Sequence, residues 1–201
     1  MSIDLVGEAQ PVTMLELIAR RYSSVRLEHP GPDLIELDQI LTAAVAGPDH
    51  RRLRPWRFTV FTGESRLEFG DLLAQRIAEL TPDQDPSRLA RERDRLLRAP
   101  VVVAVGAVVE PQVTPAIEQV CAVAAAVQNL LLAATALGYG SIWRTGWACR
   151  DDRVKDLLEL REQDYLLGFI YLGTPDNNAP APLRTSNLDG VVRHWSASPT
   201  L

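Results

Sequence analysis

Three short segments carry side chains able to do chemistry, and each sets arginine beside small hydroxyl residues, glycine or histidine. The first is Arg20, Arg21, Tyr22, Ser23 and Ser24. Arginine offers a fixed fork of donors to a phosphate, and serine adds a short hydroxyl donor. An arginine-rich helix end that simply meets solvent or complements the helix dipole has the same composition. The second segment runs Gly47, Pro48, Asp49, His50, then Arg51 through Pro55 into Trp56, Arg57 and Phe58. It suits an anion or a planar ring, and equally reads as a strand entry with Trp56 in the core. The third spans Gly138 to Gly146 and includes Ser141, Arg144 and Thr145. Glycines on both sides of a short strand expose backbone N–H groups. Such donors with a fixed cation between them suit a ring that gains negative charge on reduction. The competing reading is a buried strand with Arg144 in a salt bridge.

Other chemistries lack their signatures. Gly138 and Gly140 begin a Gly-x-Gly-x-x-Gly pattern, but Trp143 stands where the third glycine belongs. There is no phosphate-cradling Gly-x-x-x-x-Gly-Lys-Ser/Thr, no Gly-x-Ser-x-Gly and no His-Glu-x-x-His. The histidines at 29, 50 and 194 lack metal-ligand spacing, so no metal is expected. Cys121 and Cys149 form neither a Cys-x-x-Cys nor a disulfide framework.

The 201 residues fit one compact domain, with a core at 13–175 and an extended tail at 176–201. Apolar residues make up 46% and charged residues 23%, ordinary for a folded chain. The net charge of −5 argues against a general nucleic-acid binder, which needs a basic face. Residues 1–10 show no secretory pattern. Ile117 to Leu137 is strongly apolar but interrupted by Glu118, Gln119, Gln128 and Asn129. The expectation is a cytoplasmic protein without a membrane span.

Periodicity supplies the elements that must position these segments. Met14 to Tyr22 reads as a short helix, and Asp33 caps a second one carrying Leu34, Leu37, Ile40, Leu41, Ala44 and Val45. Trp56 to Phe61 alternates as a strand. Leu67 to Leu80 is helical, and Asp85-Pro86 opens a charged helix expected to reach Arg98. Val101 to Val109 is a continuous apolar run, typical of a strand covered on both faces. Pro115 opens a long helix to Leu137, with Gly138 as its C-cap. Ser141 to Arg144 and Tyr165 to Leu172 are strands, separated by a helix near Asp151 to Leu160.

In this order the segments resemble the nitroreductase family of flavoproteins, in its short single-domain bacterial NAD(P)H nitroreductase subgroup. The family's opening Arg-x-Ser stands here as Arg21, Tyr22 and Ser23, and its Pro-Trp-Arg-Phe block as Pro55 to Phe58. Its Gly-Gly-Ile-Trp-Arg-Ser-Gly block is Gly140 to Gly146, and its Arg-Glu-Gln-Asp…Gly-Thr-Pro run is Arg161 to Pro175. Two departures stand out. Tyr22 replaces a common arginine, and the loop before Pro55 reads His50 to Arg54 where many members carry asparagine.

The resemblance implies an α+β fold: a mixed, mainly antiparallel central sheet flanked by helices, in an intertwined homodimer with FMN at the interface. By position it assigns Arg21, Tyr22 and Ser23 to the FMN phosphate and ribityl end, and Ala46 and His50 to the flavin. It sets Arg144, Thr145 and Gly146 by the isoalloxazine and phosphate, and Arg184 in the tail near the phosphate. Ala134, Thr135, Ala136, Leu137, Gly138 and Tyr139 fall where nicotinamide-nucleotide contacts are assigned. The implied chemistry is ping-pong hydride transfer through flavin N5, from NADH or NADPH to a small planar acceptor such as a nitroaromatic or quinone, with no side-chain acid or base. Two other readings keep the flavin: a specialised dehalogenating or dehydrogenating enzyme, and a flavin-binding module without turnover.

Overall fold

The computed structural model describes residues 13–176 and 187–195. Its core is a five-stranded sheet. The strands are β1 (Leu27–Glu28), β2 (Trp56–Thr62), β3 (Val101–Ala107), β4 (Gly140–Arg144) and β5 (Tyr165–Pro175). β5 pairs with β3 and β4, β3 pairs with β2, and β1 joins the end of β5. Among the described residues all four ladders are antiparallel, and the one parallel contact is a bridge between Ser23 and Ser141. The helices are α1 (Met14–Arg20), α2 (Leu34–Ala44), α3 (Ser65–Leu80), α4 (Pro86–Arg93), α5 (Ala116–Ala136) and α6 (Asp152–Leu157).

Strand alternation sorts the core into two layers. Val101, Val103, Val105 and Ala107 of β3, with Ile170 and Leu172 of β5, pack on Leu37 and Ile40 of α2 and Val127 and Leu130 of α5. Val102, Ala104, Phe169 and Tyr171 face the other way, onto Phe69 and Leu73 of α3 and Val154 of α6. Every residue of β3 is buried, which explains why its sequence is continuously apolar. In β5 the register against β3 shifts between Val105 and Gly106, so Val105 pairs with Gly168 and Gly106 with Leu166. That bulge lets Leu166 and Phe169 share one face although they are an odd number of residues apart.

Local sequence explains most element ends. Thr13 and Glu16 form a reciprocal capping box on α1, and Asp33 and Glu36 do the same on α2. Pro86 sits in the first turn of α4 behind the Asp85 cap. The charged helix expected to reach Arg98 stops at Arg93 and continues as a 3₁₀ segment, Asp94–Arg98. The helix expected to reach Leu160 ends at Leu157, and β5 runs three residues beyond Leu172 to Pro175. The extra length of β5 is what β1 pairs with.

α5 is long and apolar enough to cross a bilayer by length and composition, contrary to the expectation from its polar interruptions. Here one face of it is a core helix: Val123, Ala126, Val127, Leu130 and Ala134 are all fully buried. Apolar side chains nonetheless remain exposed on α1 (Met14, Leu15, Ile18), α2 (Leu34, Ile35) and α5 (Ile117).

Candidate functional site

α1 delivers the first segment. It has no buried residue, so its seven residues depend on the Thr13 cap and on contact with α5. The chain leaves α1 at Arg21 in an extended conformation, and the Arg21 amide donates to the Leu17 carbonyl. Arg21 and Tyr22 are half-buried, while Ser23 is exposed. Ser23 bridges Ser141, and the Ser24 amide donates to the Ser141 carbonyl at 3.0 Å. Arg21 to Ser24 therefore lies along β4, the strand that leads into Arg144, Thr145 and Gly146.

Two buried hydroxyls mark this junction. Ser24 and Ser141 are 4% and 1% exposed, and neither Oγ has a hydrogen-bond partner. A buried hydroxyl left unpaired costs about 1–3 kcal/mol. Beside α1 lies a cavity of about 350 Å³, lined by Leu17, Arg20, Thr135, Ala136 and Gly138. It joins the first segment to the end of α5.

Residues 134–139 divide by orientation. Ala134 is in the core, and the Thr135 hydroxyl donates to the Leu131 carbonyl at 2.8 Å. Ala136 and Gly138 line the cavity, and Leu137 caps α5. The Tyr139 hydroxyl donates to Glu36 Oε2 at 2.6 Å; that bond and burial push its pKa up to about 12.

The third segment is held by partners that sequence spacing did not point to. Arg144 is half-buried, its guanidinium 5.9 Å from the centroid of the Tyr171 ring. Thr145 is exposed, and its carbonyl accepts a hydrogen bond from Arg95 at 3.2 Å. Arg95 is paired with Glu92 at 3.0 Å, and Glu92 also accepts from Trp147 Nε1 at 3.1 Å. Gly146 has φ 151°, and a Cβ there would lie 2.8 Å from the Arg95 guanidinium. The positive φ calls for glycine here, whereas the tip of the flexible Arg95 side chain could shift to admit a Cβ. The Tyr171 hydroxyl is buried; burial raises its pKa, opposed by the nearby Arg95 guanidinium and by the charges of Arg98 and Arg144. Arg95 lies some fifty residues from Thr145, inside a charged run with no motif of its own.

The second segment lies elsewhere on the chain. Ala46 is exposed after α2, its amide donating to the Ala43 carbonyl. His50 is exposed, with Nδ1 at 2.5 Å from Glu118 Oε2. His50 thus meets the start of α5, whereas α1 meets its end at Thr135 and Ala136. At ~1.5 Å per residue these points are about 25 Å apart along the axis. Within one chain, the structure brings the first and third segments together but not His50.

Arg184 lies outside the described residues, as does most of the tail from 176 to 201. Burial raises the pKa of the Cys149 thiol. Among the described residues, no group of three His, Cys, Asp or Glu side chains is placed to hold a metal.

Comparison with known proteins agrees with this architecture. The profile of the nitroreductase family matches residues 18–174. A protein of Escherichia coli (strain K12) named "Putative NAD(P)H nitroreductase YdjA" is 37% identical over 182 residues, covering 90% of this chain and 98% of that protein. A Haemophilus influenzae protein named "Putative NAD(P)H nitroreductase" is 31% identical over 182 residues, with the same two shares. Among solved structures, a nitroreductase-like family protein from Bacillus cereus superposes with a TM-score of 0.79 at 20% identity, covering 95% of this chain and all of that one. A point mutant of NfnB, an FMN and NADPH-dependent nitroreductase from Sphigopyxis sp. strain HMH, gives 0.72 at 22% identity, covering 92% and 100%. At those identities the two structures speak for the fold, and the profile with the E. coli and H. influenzae relatives settles the descent: this chain belongs to the nitroreductase family.

Proposed function

We propose that the protein is an FMN-dependent NAD(P)H oxidoreductase acting as a homodimer, with nitroaromatics, quinones or similar planar compounds as acceptors. The observation that carries this reading is the Ser23–Ser141 bridge, which sets Arg21 and Ser23 beside the strand that ends at Arg144 and leads to Gly146. NfnB, described as FMN and NADPH-dependent, has the same fold.

The residues fit the cofactor. Arg21 and Ser23 supply a cation and a hydroxyl for a phosphate dianion, with Arg20 at the neighbouring cavity. The unpaired hydroxyls of Ser24 and Ser141 lie at the same junction. Arg144 and the backbone of Thr145 and Gly146 offer a cation and N–H donors to the ring. When bound, FMN supplies reversible two-electron chemistry, taking a hydride from NADH or NADPH and passing reducing equivalents to the acceptor that next occupies the same place.

The chain's own task is to bind and orient. Arg144 supplies positive charge where negative charge accumulates, and the Arg95–Thr145 bond fixes the donors in advance. His50 joins a site of this kind from a second chain, since the length of α5 separates it from Arg21 within one chain. Ala46, next to Gly47 against Ala126 at the middle of α5, is assigned to the same second-chain half. The exposed apolar residues of α1, α2 and α5 give that second chain a surface to cover.

Arg21→Ala tests the phosphate assignment. The variant is expected to purify with less than about a tenth of the flavin of the unaltered protein, given the worth of a charge-assisted phosphate contact. Flavin retained at normal stoichiometry in a folded variant contradicts the assignment.

A further inference from the structure

We propose that Arg51, Arg52 and Arg54 form a phosphomonoester subsite whose occupant is the adenosine 2′-phosphate of NADPH. The inference rests on the flavin-reductase reading, which sets His50 of the same turn against the flavin.

The first argument is charge. On a chain of net charge −5, the stretch 51–57 holds four arginines, Arg51, Arg52, Arg54 and Arg57, all exposed or half-buried. Other arginines of the molecule are neutralised: Arg76 by Asp151 and Glu79, Arg93 by Asp71, Arg95 by Glu92, Arg161 by Asp164 and Glu110. The Arg51, Arg52 and Arg54 side chains have no such partner among the described residues.

Carboxylates do stand close, but they are engaged. Asp49 accepts the backbone amide of Arg54 at 2.6 Å, and Glu118 pairs with His50. Arg57, though exposed, folds back and donates to the carbonyls of Arg54 and Trp56 at 3.1 and 2.8 Å, pinning the base of the turn. Three guanidinium forks are left to an external anion.

Arg51, Arg52 and Arg54 fall within four residues of chain, on a turn whose backbone is left-handed at all three, with φ of 63°, 55° and 50°. A phosphate monoester carries close to two negative charges at neutral pH and matches planar donor forks. NADPH offers one where NADH has only a hydroxyl. FMN offers one too, but the flavin reading already places it at Arg21 and Ser23, so the two sources are separable.

The test compares the unaltered protein with the triple variant R51N/R52N/R54N. Asparagine tolerates the left-handed backbone and removes the charge, and an unchanged melting temperature checks folding. The expected result is a rise in KM for NADPH of roughly tenfold or more, with KM for NADH within about twofold. Titration calorimetry should show adenosine 2′,5′-bisphosphate binding more tightly than adenosine 5′-monophosphate to the unaltered protein, and not to the variant. An unchanged ratio of NADPH to NADH activity overturns the proposal. So does lost FMN affinity with that ratio unaltered, which would give the arginines to the flavin's own phosphate. A protein that takes up no flavin defeats the underlying reading instead, while the calorimetric comparison still judges the arginines.

Discussion

Asp164 is 3% exposed, yet its carboxylate is fully engaged. It accepts from the Val109 and Arg161 amides at 2.9 Å each and from the Arg161 guanidinium at 2.9 and 3.0 Å. Burial alone pushes its pKa up, but the Arg161 and backbone hydrogen bonds more than offset that and hold it below the usual carboxylate range. A lowered folded pKa contributes stability above the unfolded value of ~3.9, and that contribution is lost as pH falls through the folded pKa. Acid titration should therefore show Asp164→Asn less stable than the unaltered protein by about 2 kcal/mol at pH 7, with the gap closing below about pH 4. A gap constant with pH would assign the loss to packing. At this scale, sequence reading succeeds where a partner is local, as with Asp33, whose side chain accepts from the first amides of the helix it is expected to cap. It misses Arg95, because a guanidinium that fixes the Thr145 carbonyl across fifty residues of chain leaves no trace in spacing.

β5 carries the main lesson among the elements. Its apolar character was readable, but its bulge and its last three residues were not, because both are set by neighbours. Gly168 has φ 143°, and a Cβ there would come within 2.5 Å of Trp143 Nε1 and 2.6 Å of the Arg144 carbonyl. Trp143 also donates to the Leu167 carbonyl at 3.0 Å, so strand β4 is fitted onto the bulge itself. Gly168→Ala should cost about 3 kcal/mol in denaturant unfolding and weaken flavin retention, since Arg144 shifts with it. A loss under about 1 kcal/mol would show that β4 adapts. β1 escaped notice for a related reason. Two residues have no periodicity, and Leu27–Glu28 is a strand only because Thr174 and Pro175 lie opposite. By contrast, α2, β3 and α5 follow from pattern alone, because their burial repeats along the chain.

For the molecule as a whole, the proposed site draws on Arg21 near the end of α5 and on His50 near its start, the latter from a second chain. A homodimer of 22.2 kDa chains is the expected species, read by light scattering as twice the chain mass. Ile117 is 67% exposed, so Ile117→Glu should leave each chain folded by circular dichroism while weakening the dimer and releasing flavin. A monomeric variant with full flavin content would contradict the two-chain site. The arrangement of the site was legible only where the resemblance supplied it, since neither Ser23 nor Ser141 announces its partner in sequence. The most direct test of the central claim is the visible absorption spectrum of the purified protein before and after anaerobic NADPH or NADH. The account predicts a yellow protein with flavin bands that bleach on addition of reductant. A colourless protein that also fails to take up added FMN, or a bound flavin that neither nucleotide bleaches, would contradict it.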